Sequence, residues 1–302
     1  MLKLSINILS KNKLFMEKKY FSEIVLLTKT YNLQDFKDWL KWHLDIIHFD
    51  HIVVFDNESS VDIKSVCELD NRVEYRFVAD WPDQYRIYNN YINNESESLW
   101  VLPIDDDEFL YVGEKFNHDV NTMFVELQKR WPDMNKLSVG WLNLFPEEFI
   151  QTRTKSLIEN GNVYSHEACM LFQIGNLPIK TFVKTTQKYE WSDKRISDVG
   201  YHKTHNPFTV GNEFEESYSI RGERILCSKQ TSPTLPTDDV FLVHYQYKSN
   251  SEWLFKCRYR KSPGAKRFNK NKPFVFKRLY NYRNTFKKCE IVSNLWKTQK
   301  TI

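Results

Sequence analysis

Four consecutive acids carry the plainest chemical potential in this chain. Asp105, Asp106, Asp107 and Glu108 lie between the apolar runs "LWVLPI" and "FLYV". Like charges this close repel one another, and each resists leaving water. A cation shared between them relieves both penalties. Asp105 and Asp107 are one residue apart, so at the end of a strand both can turn toward one site. Hard divalent cations such as Mn2+ or Mg2+ take carboxylate oxygens and share their coordination with phosphates. A metal held there neutralises a diphosphate and assists its departure. The alternative is a solvated acidic turn. The buried-strand pattern before the acids and the apolar return after them favour a site.

These acids need a scaffold, and the preceding sequence describes one. "EIVLLT" (23–28) reads as a buried strand. "NLQDFKDWLKWHLDIIHF" then places Leu33, Phe36, Trp39, Leu40, Leu44 and Ile47 at helical spacing, with Asn32 as N-cap. Strands follow at 51–60, breaking into a polar loop, at 72–77 and at 99–104, with a helix over 83–96 between the last two. Strands alternating with helices predict an α/β fold: a mostly parallel sheet, Rossmann-like, covered by helices on both faces. Ligands of such sheets bind beyond the carboxyl ends of the strands. The polar clusters sit at those ends: Thr28 and Lys29 after the first strand, Asp56 and Asn57 after the second, and the acids after the fourth. A helix near 119–130 and strands near 136–142 and 238–249 continue the pattern, with 145–240 read as irregular.

Three stretches in this order resemble the GT-A fold glycosyltransferases of the family 2 and family 92 type. They are "TKTYNLQDFKDWLKWHLDIIHFDHIVVFDNESSVD", "WVLPIDDDEFLYV" and "VHYQYKSNSEWLFKCR". The resemblance spans about residues 22–260. It implies that Asp107 binds a divalent metal, Mn2+ or Mg2+, with Asp105 near the ribose or the metal. It also implies that Asp56 meets the nucleotide base and that Lys180 lies on the donor side. His244 is a candidate third metal ligand; the alternative is a packed strand histidine. Lys248 and Lys256 are candidates to meet the diphosphate. With Thr28, Lys29, Asn57 and Asp106 these residues form the expected nucleotide-sugar site. Glu147 and Glu148 in "LFPEEF" are the candidate catalytic base, with Glu167 another. His202 and His205 belong to an acceptor-side loop or to the scaffold. Members commonly carry Asn-Glu after the first strand, where this chain has Thr30-Tyr31-Asn32.

The function implied is metal-dependent, inverting transfer of a sugar from a nucleoside diphosphate sugar, such as a UDP-sugar, to a hydroxyl of a glycan or lipid-linked acceptor. The setting would be surface polysaccharide or glycan synthesis. A metal-dependent nucleotidyltransferase is the second enzyme reading, disfavoured by the lack of a Gly-rich phosphate cradle.

The net charge of +4 is unevenly spread. Between Trp253 and Cys289 there are 13 Lys and Arg and no acid, so the rest of the chain is net acidic. The expected organisation is a leader at 1–21, a GT-A domain at 22–255 and a basic extension at 256–302. Such an extension suits an anionic membrane surface. Nucleic acid is the less favoured partner, because the basic part is a small fraction of the chain. The five cysteines are widely spaced and form no CxxC pair, which argues against a disulfide framework or a zinc site. No apolar run reaches the length of a membrane span and no secretory signal is legible, so a cytoplasmic place, peripheral to a membrane's inner face, is expected.

Overall fold

The computed structural model describes residues 18–79, 83–165, 179–195, 202–212, 215–226, 238–245, 248–259 and 280–300. Glu167 and most of the basic stretch, 260–279, lie outside them, as do the side chains of His202, His205 and Lys256. Among the described residues no helix is long and apolar enough to cross a membrane.

The first half follows the alternation. β1 (Tyr20–Thr28), β2 (His51–Asp56), β3 (Val73–Phe77) and β4 (Ser98–Pro103) pair in parallel in the order β4-β1-β2-β3. Alternate side chains of these strands enter two separate apolar clusters. Ile24, Leu26, Ile52, Val54, Trp100 and Leu102 face one side, with Phe36 and Trp39 of helix α1 (Leu33–Lys41). Val25, Val53, Phe55 and Val101 face the other, with Tyr88, Tyr91 and Ile92 of helix α2 (Gln84–Asn94). The period of two along each strand thus covers both faces of the sheet with helices, as expected. Asn32 caps α1, its Oδ1 accepting from the backbone N–H of Gln34 and Asp35 at 3.1 Å each.

The second half departs from the expectation. Among the described residues the sheet has ten strands, ordered β12-β11-β6-β8-β4-β1-β2-β3, with β5 and β13 joined through β6. Here β5 is Glu108–Val112, β6 Lys136–Asn143, β8 Ile179–Lys184, β11 Ser217–Ser219, β12 Arg224–Ile225 and β13 Val240–His244. β8 runs antiparallel between β4 and β6, and β5 antiparallel to β13. An antiparallel neighbour needs no crossover helix. That is why the region read as irregular holds strands without showing a strand–helix rhythm. Helix α3 (Val120–Arg130) packs Met123, Phe124 and Leu127 against the larger cluster.

Two boundaries move for physical reasons. The helix expected through residue 47 is α-helical only to Lys41 and then widens into a π-turn over Trp42–Ile46, where the N–H of Ile47 reaches back to the Trp42 carbonyl at 3.0 Å. The extension at 256–302 begins in helix α4 (Asn250–Tyr259) and ends in helix α5 (Ile291–Lys300). The latter buries Val292 and Trp296 in the main core, with the Trp296 ring 6.3 Å from that of Trp42. The end of the chain is therefore part of the globule it extends.

β5 explains the tryptophans and the histidine of α1 and the π-turn that follows it. One edge of β5 pairs with β13. On α1 and the π-turn, Trp39 Nε1–H donates to Glu108 O at 2.8 Å and Trp42 Nε1–H to Leu110 O at 2.7 Å. His43 Nε2 accepts from the N–H of Leu110 at 3.2 Å while Nδ1 meets the Trp39 carbonyl at 2.9 Å. Buried backbone groups must find partners, and here side chains supply them. His43 is fully enclosed, and burial pulls its pKa down to about 3, so the ring is neutral. An unfolded histidine titrates near 6.5. The unfolded chain therefore takes up a proton that the fold refuses. This contribution is whole above pH 6.5 and is lost as pH falls from there toward 3. Melting curves from pH 7 to 4 should show a steeper acid loss for the wild type than for His43→Leu. The variant should also be about 1–3 kcal/mol less stable at pH 7, where the Leu110 N–H loses its acceptor. Equal slopes would refute this assignment of the proton.

Candidate functional site

The acids end β4 and begin β5, so the turn is held from both sides. Asp105 N–H donates to Glu108 Oε2 at 2.9 Å, and Glu108 N–H returns to Asp105 O at 3.1 Å. The four carboxylates then diverge. Asp105 and Asp106 are partly exposed, whereas Asp107 and Glu108 are buried.

Asp105 and Glu108 share one cation. Lys180, from β8, lies 3.3 Å from Asp105 Oδ2 and 3.3 Å from Glu108 Oε2. Burial works against the ammonium, but the two carboxylates outweigh it and keep it protonated. Burial pushes the Glu108 carboxyl well above the usual range, against the pull of Lys180. The sequence expectation that Lys180 lies on the donor side thus finds it beside the acids. Glu108 was not among the expected site residues. Its signal was present all the same: an ionisable residue at the start of an apolar strand needs a buried partner.

Asp106 accepts from Thr28 Oγ1 at 2.8 Å, which ties the turn to the end of β1. Asn57 joins the same edge: its N–H donates to Thr28 O at 2.7 Å, and its Nδ2 donates to Val78 O at 3.1 Å. Asp56 is buried and uses both oxygens within the fold, accepting from Ser59 N–H at 2.8 Å and from Tyr75 Oη–H at 3.0 Å. It shapes the β2 turn. Lys29 faces solvent in an ion pair with Glu58 at 3.4 Å.

Asp107 faces His244. β13 places His244 opposite Glu108 on one side and opposite Asn143 on the other. His244 Nε2 lies 3.4 Å from Asp107 Oδ1, its Nδ1 lies 3.0 Å from Asn143 Oδ1, and the Trp141 ring sits 4.4 Å away. His244 Nε2 meets the Asp107 carboxylate either as an N–H donor or, in the other tautomer, with its lone pair, in which case a cation between the two is called for. An oxygen and an imidazole nitrogen suit Mn2+. Among the described residues no group of three or more His, Cys, Asp or Glu side chains is arranged to hold a metal. Asp107 and His244 offer one oxygen and one nitrogen to a common point, and a metal held there would take its remaining positions from water or from a bound phosphate. Asp105, expected as a metal ligand as well, has its carboxylate turned to Lys180.

Lys248 is mostly enclosed next to these acids. Desolvation opposes its charge, but Asp107, Asp106 and Asp35 more than offset this and raise its pKa; the Tyr31 hydroxyl acts in the same direction. Behind it lies an ionic cluster invisible in the sequence. Arg153 Nη1 donates to Asp35 Oδ1 at 2.9 Å, and Nη2 lies 2.8 Å from Glu252 Oε1, with all three side chains largely buried. Glu252 also accepts from Ser249 Oγ at 2.6 Å, and Lys248 lies 3.9 Å from Asp35. These contacts join the start of α1 to the start of α4.

Glu147 and Glu148 are exposed beyond the end of β6, with Glu147 3.7 Å from Lys288. They line a polar groove with Thr154, Glu159, Asn160 and Asn162. A second cleft, which shares none of these residues, opens between α2 and the strand ends and includes Asp105 and Lys180.

No family model matches the chain, and no curated protein matches it. Several solved structures are distantly similar. A structure of S. aureus TarS, residues 1–349, has a TM-score of 0.33 at 12% identity over 85% of this chain and 73% of its own. The 4-diphosphocytidyl-2C-methyl-D-erythritol synthase of Anaerococcus prevotii has a TM-score of 0.26 at 10% identity over 45% of this chain and 60% of its own. A longer TarS structure is matched over 28% of its length. Likenesses this distant carry no functional weight.

Lys180→Met removes the cation from two carboxylates, one of them wholly enclosed. Breaking a buried pair in this way costs about 3–5 kcal/mol. Urea unfolding should show a loss of that order, and adding Glu108→Gln should recover part of it. A double variant no more stable than the single one would show that Lys180 and Glu108 are not coupled.

Proposed function

We propose that the protein is a GT-A type glycosyltransferase, moving a sugar from a nucleoside diphosphate sugar, in the first instance a UDP-sugar, to a hydroxyl of a glycan or lipid-linked acceptor. The single observation that carries this reading is the Asp107–His244 pair at the carboxyl end of a parallel sheet, with Lys248 beside it. A carboxylate and an imidazole face each other there across 3.4 Å. Asp107 and His244 would hold Mn2+ or Mg2+, which when bound would supply positive charge to the departing diphosphate. Lys248 adds a second, permanent charge on the same side. Asp105, Asp106 and Thr28 form the polar edge against which the nucleotide lies, with Asn57 behind Thr28. Asn143 holds the Nδ1 side of His244 at 3.0 Å, so the ring presents Nε2 to the site.

In the transfer, the bond between the sugar's anomeric carbon and the diphosphate oxygen breaks. A bond from the acceptor oxygen forms, with inversion in our reading. The acceptor's proton passes to a carboxylate, for which Glu147 or Glu148 in the polar groove is the candidate. The basic residues of 256–302 turn the enzyme toward an anionic surface.

The test is calorimetric titration of UDP, GDP, CDP and ADP with and without Mn2+. One nucleotide should bind at least ten-fold more tightly with the metal, and Asp107→Asn should abolish the difference. Metal-independent binding of equal strength in wild type and variant would remove the metal from the mechanism. Pyrophosphate rather than nucleoside diphosphate as product would convert the reading to nucleotidyl transfer.

A further inference from the structure

The parallel half of the sheet ends in β3, and among the described residues no strand pairs with its outer edge. Every residue of β2 and β4 is buried, whereas none of Val73–Phe77 is. The strand at the other end of the sheet, β12, is only two residues long. β3 has five residues and no proline, and its register with β2 is unbroken from Ile52 opposite Val73 to Asp56 opposite Phe77. Neither a proline nor a bulge therefore blunts this edge against another strand.

The backbone of β3 points two ways. Ile52 N–H donates to Arg72 O and Val78 N–H donates to Asp56 O, both at 2.9 Å. Alternate residues of a parallel strand bond the same neighbour, so Val73, Tyr75 and Phe77 turn their backbone groups outward. Of these, the Val73 N–H is taken by Asp70 O at 3.0 Å, closing the turn before the strand. The side chains divide by the same period. Val73 and Tyr75 pack against the main core, and Phe77 follows on that side, 60% exposed. Glu74 and Arg76 lie on the α2 side, where the Arg76 guanidinium sits 4.9 Å from the Tyr91 ring.

We infer that β3 is a self-association edge, pairing antiparallel with β3 of a second copy of this chain about a two-fold axis at Tyr75. The strand is complementary to itself in that register. Val73 lies opposite Phe77 of the second copy, Glu74 opposite Arg76, and Tyr75 opposite Tyr75. The outward backbone groups then form four hydrogen bonds: two between the Tyr75 residues, and one from each Phe77 N–H to Val73 O across the contact. Glu74 and Arg76 fall at the non-hydrogen-bonded positions, where facing side chains approach most closely. Within one chain they form an ion pair at 2.6 Å and both stay partly exposed. The second copy joins two such pairs into four charges of alternating sign.

The charges also select the register. A slip of two residues in one direction sets Glu74 against Glu74, and in the other Arg76 against Arg76. Like charges directly opposite destabilise a sheet. The ends of the edge agree. Leu69, 85% exposed, lies in the turn before Val73, and it and Phe77 are two of the three most exposed large apolar side chains among the described residues. Antiparallel pairing brings Phe77 of each copy to the Leu69 end of the other, where apolar surface leaves water. A two-fold contact of this kind consumes the edge and stops at two chains. The acidic turn, at the end of β4 three strands away, stays clear of it.

Sedimentation of the full chain is the experiment. A five-residue strand pair is smaller than a standard interface, so wild type should pass from monomer to dimer between about 1 and 100 µM. Arg76→Glu turns two opposite-charge pairs into like-charge ones and should weaken association about ten-fold or more. Glu74→Arg combined with Arg76→Glu keeps opposite signs face to face and should restore the dimer. Phe77→Pro removes an outward N–H that only the second copy uses, so it should weaken the dimer while the far-UV dichroism stays that of wild type. A wild type still monomeric at about 100 µM overturns the inference. So does a dimer that forms equally well in Arg76→Glu and Phe77→Pro, which would place the contact elsewhere. A folded charge-reversed double variant no better associated than Arg76→Glu would overturn the register. None of these outcomes depends on nucleotide binding, so the transferase reading stands or falls separately.

Discussion

The site depends on how a helix satisfies the backbone of a strand. β5 must run through the core to hold the acidic turn, yet β13 is the one strand paired with it among the described residues. An unpaired buried carbonyl or amide is costly. Trp39, Trp42 and His43 act in place of a second neighbour. The π-turn at Trp42–Ile46 belongs to the same arrangement, because it widens the helix where these side chains meet the strand. On the opposite face Asn89 and Asn93 of α2 do for β9 (Tyr189–Arg195) what the tryptophans do for β5. In both cases the helix supplies packing and hydrogen bonds together, so its register against the strand is fixed. A shift of α1 by one residue would move the acidic turn.

The second constraint is charge. Four acids at one turn are tolerable because the fold answers them individually. Lys180 meets Asp105 and Glu108, Thr28 meets Asp106, and His244 with Lys248 meets Asp107. Glu108, the most enclosed, is the brace of the turn. Asp107 is the acid whose facing partner is a titratable ring. The four identical-looking charges thus divide into structural and chemical ones by their surroundings.

Third, the two halves of the site are fastened from behind. Asp35, Arg153 and Glu252 come from the first helix, the loop after β6 and the start of α4. Their ion pairs are buried, so losing one partner strands the others. Lys248 stands between this cluster and the acidic turn. The C-terminal helix α5 adds apolar weight through Trp296 against Trp42. The region that reads as an appended basic tail therefore closes the same core that carries the site.

The sequence by itself determined the parallel half of the sheet, its helices, the Asn32 cap and the placement of polar clusters at strand ends. Each is set by local periodicity or by a side chain bonding its own neighbours, and these signals extend over only a few residues. It also singled out Asp107, His244, Lys180 and Lys248, which the fold brings close to the acidic turn although up to 143 residues separate them. Only the tertiary structure decided that β8 enters antiparallel, that Asp56 spends its oxygens on Ser59 of its own turn and Tyr75 of β3, and that Glu108 is a buried brace. It alone assembled Asp35, Arg153 and Glu252, and it alone left β3 at the end of the sheet. The reason is physical. A buried charge or an edge strand is defined by its partner, and these partners lie dozens of residues away, where no periodicity in the chain can point to them.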